Sequence, residues 1–64
     1  MENRVREYRN SREWSQQHLA DMLGVSRQTI LSIEKGKYDP SLPLAFQMAS
    51  VFECMIEDLF LPEL

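Results

Sequence analysis

The stretch QQHLADMLGVSRQTILSIEK, residues 16–35, constrains this chain more than any other. Ser15 and Ser26 each precede a short run with apolar residues at helical spacing, and Gly24 falls between the two runs. A serine hydroxyl can accept hydrogen bonds from the free N–H groups of a helix's first turn. A glycine just past a helix can take the positive φ that ends it abruptly. The spacing therefore predicts two short helices joined by a tight turn, with a boundary at Gly24 that is hard to avoid. Ala20 is small enough for the second of these helices to approach the first closely. Val25, Ile30 and Ile33 are apolar where that second helix docks, which leaves its opposite edge free for a partner.

Around this unit the pattern stays helical. A first helix is expected from Asn3 to Arg12, with Asn3 as N-cap and Val5 and Tyr8 turned to the core. Trp14, just before Ser15, suits a hydrophobic staple with Leu19, and Val25 with Ile30 repeats the design. Gly36 stops the third helix. Lys37-Tyr38-Asp39-Pro40 reads as a turn, because the residue before a proline is disfavoured in the helical region. Ser41 caps a fourth helix with Pro43 in its first turn, where a missing N–H costs nothing. Leu44, Ala45, Met48, Ala49 and Phe52 form its apolar face, and a short fifth helix covers Ile56 to Phe60. There is no strand pattern, repeat or linker. The expectation is one all-α domain over residues 1–64, a five-helix bundle.

At 64 residues the core is near the lower limit that suffices without a metal or disulfide. The one cysteine, Cys54, cannot form an internal disulfide, so a reducing cytoplasm is the expected setting. No apolar run approaches the roughly 18 residues of a membrane span, and MENRVREYRN lacks the apolar centre of a signal peptide. The net charge of −3 is unevenly distributed. All seven bases (Arg4, Arg6, Arg9, Arg12, Arg27, Lys35, Lys37) lie in residues 1–38 beside five acids, a balance of +2. Residues 39–64 hold five acids and no base, a balance of −5. Such a split fits one face meeting a polyanion and another turned from it; solvated surface alone would also account for it.

The chain resembles the Cro and lambda-repressor-type (XRE-like) helix-turn-helix regulators over essentially its whole length. The residues that carry the resemblance are Arg9, Ser15-Gln16, Leu19-Ala20, Gly24-Val25-Ser26-Arg27-Gln28-Thr29-Ile30 and Ile33-Glu34-Lys35-Gly36-Lys37. Pro40-Ser41-Leu42, Ala45, Met48-Ala49 and Glu57-Asp58-Leu59-Phe60 extend it. The resemblance implies a lambda-repressor-like bundle that binds operator DNA as a homodimer and represses transcription. Three positions depart from the family pattern: Glu13 replaces a common Gly, Met55 a capping Ser or Thr, and Tyr8 a common Leu. They bear on stability, because none lies on the edge turned to DNA.

That edge can be assigned chemically. Arg27, Gln28, Leu31 and Lys35 follow one stripe of the third helix, with Ser26 at its start and Ser32 at its border. Arg27 can donate two hydrogen bonds to guanine, Gln28 can pair with adenine, and Leu31, read as exposed, can meet a thymine methyl. Ser26, Arg27, Gln28, Leu31 and Ser32 are therefore the candidate base contacts. Gln16 at the start of the second helix, Gln17, Lys35, Lys37 and Tyr38 are the candidate phosphate contacts, with Arg12 a weaker one. The resemblance suggests that Arg9 and Glu34 form an ion pair between the first and third helices; the competing reading makes Arg9 a phosphate ligand.

The remaining residues carry no evident chemistry. His18 has no second His or suitably spaced Cys, so no metal is expected, and Cys54 reads as a small buried hydrophobe. There is no catalytic constellation, cofactor motif or small-molecule site, and no enzyme is expected. The end of the chain, residues 56–64, has more apolar residues than a short helix can bury. Phe60, Leu61 and Leu64 are expected to form a two-fold contact, or else to fold back over the core. An antitoxin or a protein-interaction module are the other function classes; a partner toxin would mark the first, and Gln16, Arg27 and Gln28 argue against the second.

Overall fold

Serine hydroxyls open three of the five helices in the computed structural model, which describes residues 1–62. The helices are α1 (Val5–Ser11), α2 (Gln16–Leu23), α3 (Arg27–Glu34), α4 (Leu42–Val51) and α5 (Ile56–Leu59). Ser15 accepts from the His18 N–H at 2.9 Å, Ser26 from Thr29 at 3.1 Å and Ser41 from Leu44 at 3.3 Å. Met55 offers α5 no such oxygen. There Asp58 supplies the other half of a capping arrangement, its Oδ2 accepting from the Met55 N–H at 2.9 Å.

Helices α1 to α4 all end in the same way. In each, an N–H just past the helix end reaches back five residues to a carbonyl: Trp14 to Arg9, Val25 to Ala20, Lys37 to Ser32, and Cys54 to Ala49. The residue before it donates to a carbonyl three back and takes a positive φ, the Schellman arrangement. Gly24 (φ 70°) and Gly36 (φ 74°) fill that position after α2 and α3, while Glu13 (φ 57°) and Glu53 (φ 54°) fill it after α1 and α4.

The core gathers one or more side chains from every helix: Val5, Leu19, Ala20, Ile30, Ile33, Ala45, Met48, Ala49, Phe52 and Leu59, with Phe60 beyond α5. Trp14 stacks on Phe52 with ring centroids 5.6 Å apart, and Tyr8 leans on the same ring at 5.7 Å.

Two expectations about the chain ends are corrected. Helix α1 starts at Val5 instead of Asn3, and the bundle carries a short antiparallel strand pair that no sequence pattern announces. Strand β1 (Glu2–Asn3) pairs with β2 (Phe60–Leu61), Glu2 opposite Leu61 and Asn3 opposite Phe60. Two-residue strands are too short to show alternation, and their pairing is decided by where the bundle brings its ends. Asn3 still accepts from the Val5 N–H at 3.2 Å, and its amide donates to the Ile33 carbonyl at 2.8 Å, tying the first strand to the end of α3.

Candidate nucleic-acid interface

Helix α3 divides into a buried edge and an open one. Ile30 and Ile33 have no exposure, so α3 is anchored by two β-branched side chains three residues apart. Arg27, Gln28 and Lys35 are exposed on the other edge, and Ser32 is half-buried beside them. Leu31 is half-buried rather than exposed, because it sits at the border of the docking edge. The Ser26 hydroxyl holds the Thr29 N–H and lies 2.9 Å from the Thr29 hydroxyl, so its first duty is to start the helix. The Gln28 amide rests 3.4 Å from the Ser32 hydroxyl one turn on, an exposed and readily exchanged contact.

Past α3 the Gly36 turn brings Tyr38 back over the helix. Gln28, Thr29, Ser32 and the half-exposed Tyr38 line an open cleft of about 190 Å³. Lys35 and Lys37 are exposed on either side of Gly36. Thr29 is a cleft residue without a sequence signal of its own. It lies between the docking edge and the open edge of α3, where helical periodicity alone assigns a residue to neither.

A second cluster joins α1, α2 and α3. The Glu34 side chain is fully shielded from solvent and collects three hydrogen bonds. Arg9 Nε donates to Oε2 at 2.7 Å and Arg9 Nη2 to Oε1 at 3.1 Å, a two-point pairing of guanidinium with carboxylate. Arg9 Nη1 donates to the Trp14 carbonyl at 2.8 Å, and Gln16 Nε2 donates to Glu34 Oε1 at 3.2 Å. Burial raises the Glu34 pKa, but the hydrogen bonds from Arg9 and Gln16 and the charge of Arg9, with a smaller share from Arg6, bring it below the ordinary carboxylate value. The carboxylate therefore stays ionised. It fixes the base of α3 to α1 and the first residue of α2 at the same time.

The other sequence candidates fall in varied places. Gln17 is exposed, with its amide donating to Asp21 Oδ1 at 2.8 Å. Arg12 is not free for phosphate: its guanidinium lies over the rings of Phe52, Tyr8 and Trp14, and Nη2 donates to the Phe52 carbonyl at 2.5 Å. Cation–π contact and a helix-end carbonyl thus claim it for the core's edge. Phe60 is buried in this chain's own core, the second of the two places open to it from the sequence; Leu61 is half-buried, and Leu64 lies outside the described residues. His18 is exposed against Trp14. Burial pushes the Cys54 thiol up, Asp58 adds to the effect and Arg12 opposes it, so the nucleophilic thiolate is disfavoured. Among the described residues no helix is long and apolar enough to cross a membrane.

The geometry is that of a docked recognition helix behind a tight turn, and the comparisons agree. A helix-turn-helix family profile matches residues 5–59. A transcriptional regulator of the helix-turn-helix type from Methanocaldococcus jannaschii is 56% identical over 63 residues, covering 98% of this chain and 96% of that protein. The chain belongs to the helix-turn-helix family. It is a DNA-binding transcriptional regulator, in a family of regulators and not of enzymes. A further helix-turn-helix regulator, from Archaeoglobus fulgidus, is 51% identical over 61 residues, covering 95% of this chain and 87% of its own. Among solved structures, the restriction-modification controller protein C.AhdI from Aeromonas hydrophila superposes with a TM-score of 0.80 at 30% identity, covering 89% of this chain and 86% of that one. Within this helix-turn-helix framework α2 is the first helix of the motif and α3 the second, the one that enters the major groove in such proteins.

Proposed function

We propose that this regulator represses transcription by binding a near-palindromic operator as a homodimer, with α3 of each subunit in a major groove. The observation that carries the reading is the contrast on α3, where Ile30 and Ile33 are fully buried while Arg27 and Gln28 stand exposed at its N-terminal end. That is the end of a recognition helix that meets base edges. Arg27 and Gln28 are the principal base contacts, with Ser26, Leu31 and Ser32 at the margins. Gln16, Gln17, Lys35, Lys37 and Tyr38 hold the phosphates, and Arg9 with Glu34 keeps the two groups in register.

Homodimerisation is supported by the outer face of α4. Leu42 and Phe46, one turn apart, are 64% and 57% exposed on a helix without a single ionisable residue, and the half-buried Leu61 is the C-terminal contribution. Two subunits would set their recognition helices roughly 34 Å apart, one turn of the duplex. The whole chain then acts as one domain, and the lone, half-buried Cys54 suits a cytoplasmic setting.

Selection of bound sequences from a random duplex pool tests this directly. A recovered site with two inverted halves about one helical turn apart is expected. Gln28→Ala should relax discrimination at one base position of each half by about 1–3 kcal/mol. Sites without symmetry, or discrimination that ignores Gln28, would refute the proposal.

A further inference from the structure

Arg6 lies outside the core and outside the two-point pairing of Arg9 with Glu34. It precedes Arg9 by three residues on α1, so both side chains leave the same face of that helix. Its Nε lies 3.6 Å from Glu34 Oε1, too long for a hydrogen bond. The same oxygen accepts from Gln16 Nε2 at 3.2 Å and from Arg9 Nη2 at 3.1 Å. Arg6 and Gln16 are thus neighbours across one carboxylate oxygen.

The two arginines differ in what is left over. Arg9 is 11% exposed, and its Nε, Nη1 and Nη2 all donate to Glu34 or the Trp14 carbonyl. It neutralises the single charge of Glu34. Arg6 is 54% exposed and adds a second positive charge where the first has already balanced the acid. A half-exposed ion pair at 3.6 Å contributes little to stability. The surplus charge is available to an anion arriving from outside.

We infer that Arg6 is a DNA phosphate ligand, which together with Gln16 grips one backbone phosphate at the junction of α1, α2 and α3. A guanidinium presents a rigid fork that matches phosphate oxygens, and the Gln16 amide has a second N–H beyond the one given to Glu34. Glu34 holds both donors at the junction without competing for the phosphate, since Arg9 has satisfied it. The inference rests on the reading of Gln16 as a phosphate contact, and goes beyond it by assigning the cation of that site to α1.

The test uses the full chain and a duplex recovered from the random pool, with affinity measured across a range of salt. Arg6→Gln should weaken binding and flatten the dependence of log affinity on log salt by about 0.9 per subunit, the share of one neutralised phosphate. Arg6→Lys should keep the slope while giving up part of the affinity. Base preferences and thermal midpoint should stay as in the wild type for both. Gln16→Ala should weaken binding without changing the slope, because the amide carries no charge. An unchanged slope in Arg6→Gln with weakened Gln16→Ala overturns the role of Arg6 and leaves that of Gln16 standing. No effect in either variant overturns both.

Discussion

Glu34 shows how one side chain can serve three elements. Its carboxylate is shielded, doubly bonded to Arg9 and singly to Gln16, so Glu34→Gln would leave Arg9 largely buried without its counter-charge. Breaking one partner of such a pair costs about 3–5 kcal/mol. The pH dependence follows from the lowered pKa in the fold. Above the ordinary value of 4.5 the acid is ionised in both folded and unfolded chains, and its contribution is complete. As pH falls below that value the unfolded chain takes up the proton first, and the contribution is lost through the folded pKa. Urea denaturation should therefore show the gap between wild type and Glu34→Gln widest near neutrality and narrowing below pH 4.5. A gap constant through that range would mean that Glu34 acts by packing alone.

At the level of elements, the repeated helix ending separates what the sequence makes legible from what it hides. Gly24 and Gly36 announce the ends of α2 and α3, and Ser15, Ser26 and Ser41 announce three starts, because each signal is local and chemically specific. Glu13 and Glu53 adopt the same left-handed conformation without glycine; Glu13 is marked only by the family resemblance, and Glu53 by nothing in the sequence. A non-glycine residue there is strained, and the surrounding packing imposes it. Trp14 and Cys54, which follow these two glutamates, pack against the core and hold the turns closed. Glu13→Gly and Glu53→Gly should each stabilise the fold by about 1 kcal/mol, once relief of strain is set against glycine's extra freedom when unfolded. Chemical denaturation of the two variants measures this, and a loss of stability in both would show that the side chains matter more than the φ. The strand pair is hidden from the sequence, and the choice between the two places open to Phe60 is left undecided by it, for a related reason: both depend on the chain ends meeting, which no local pattern encodes. Arg12 is equally hard to place, because a basic residue looks the same in sequence whether an aromatic cluster or a phosphate claims it.

For the whole molecule, the unequal charge of its two halves sets the direction in which a second subunit can approach. The basic half carries α1, α2 and α3, while the acidic half would repel a copy of itself wherever its carboxylates met. At a two-fold axis each residue lies near its own copy, so a charge there faces a like charge. Of the five helices only α4 has no ionisable residue, and its outward Leu42 and Phe46 are large, apolar and outside the core. The proposed dimer therefore gains most from this face and least from Phe60, which the monomer has already buried. Phe46→Glu separates assembly from folding, since the side chain is 57% exposed and its loss opens no cavity. The variant should keep the wild-type thermal midpoint in dilute solution, where the wild type is also monomeric. In sedimentation it should stay monomeric at concentrations where the wild type pairs. Its affinity for a single half-site should be unchanged, while its preference for the full palindrome over the half-site should collapse. A Phe46→Glu protein that still pairs, and still prefers the palindrome, would move the contact away from α4.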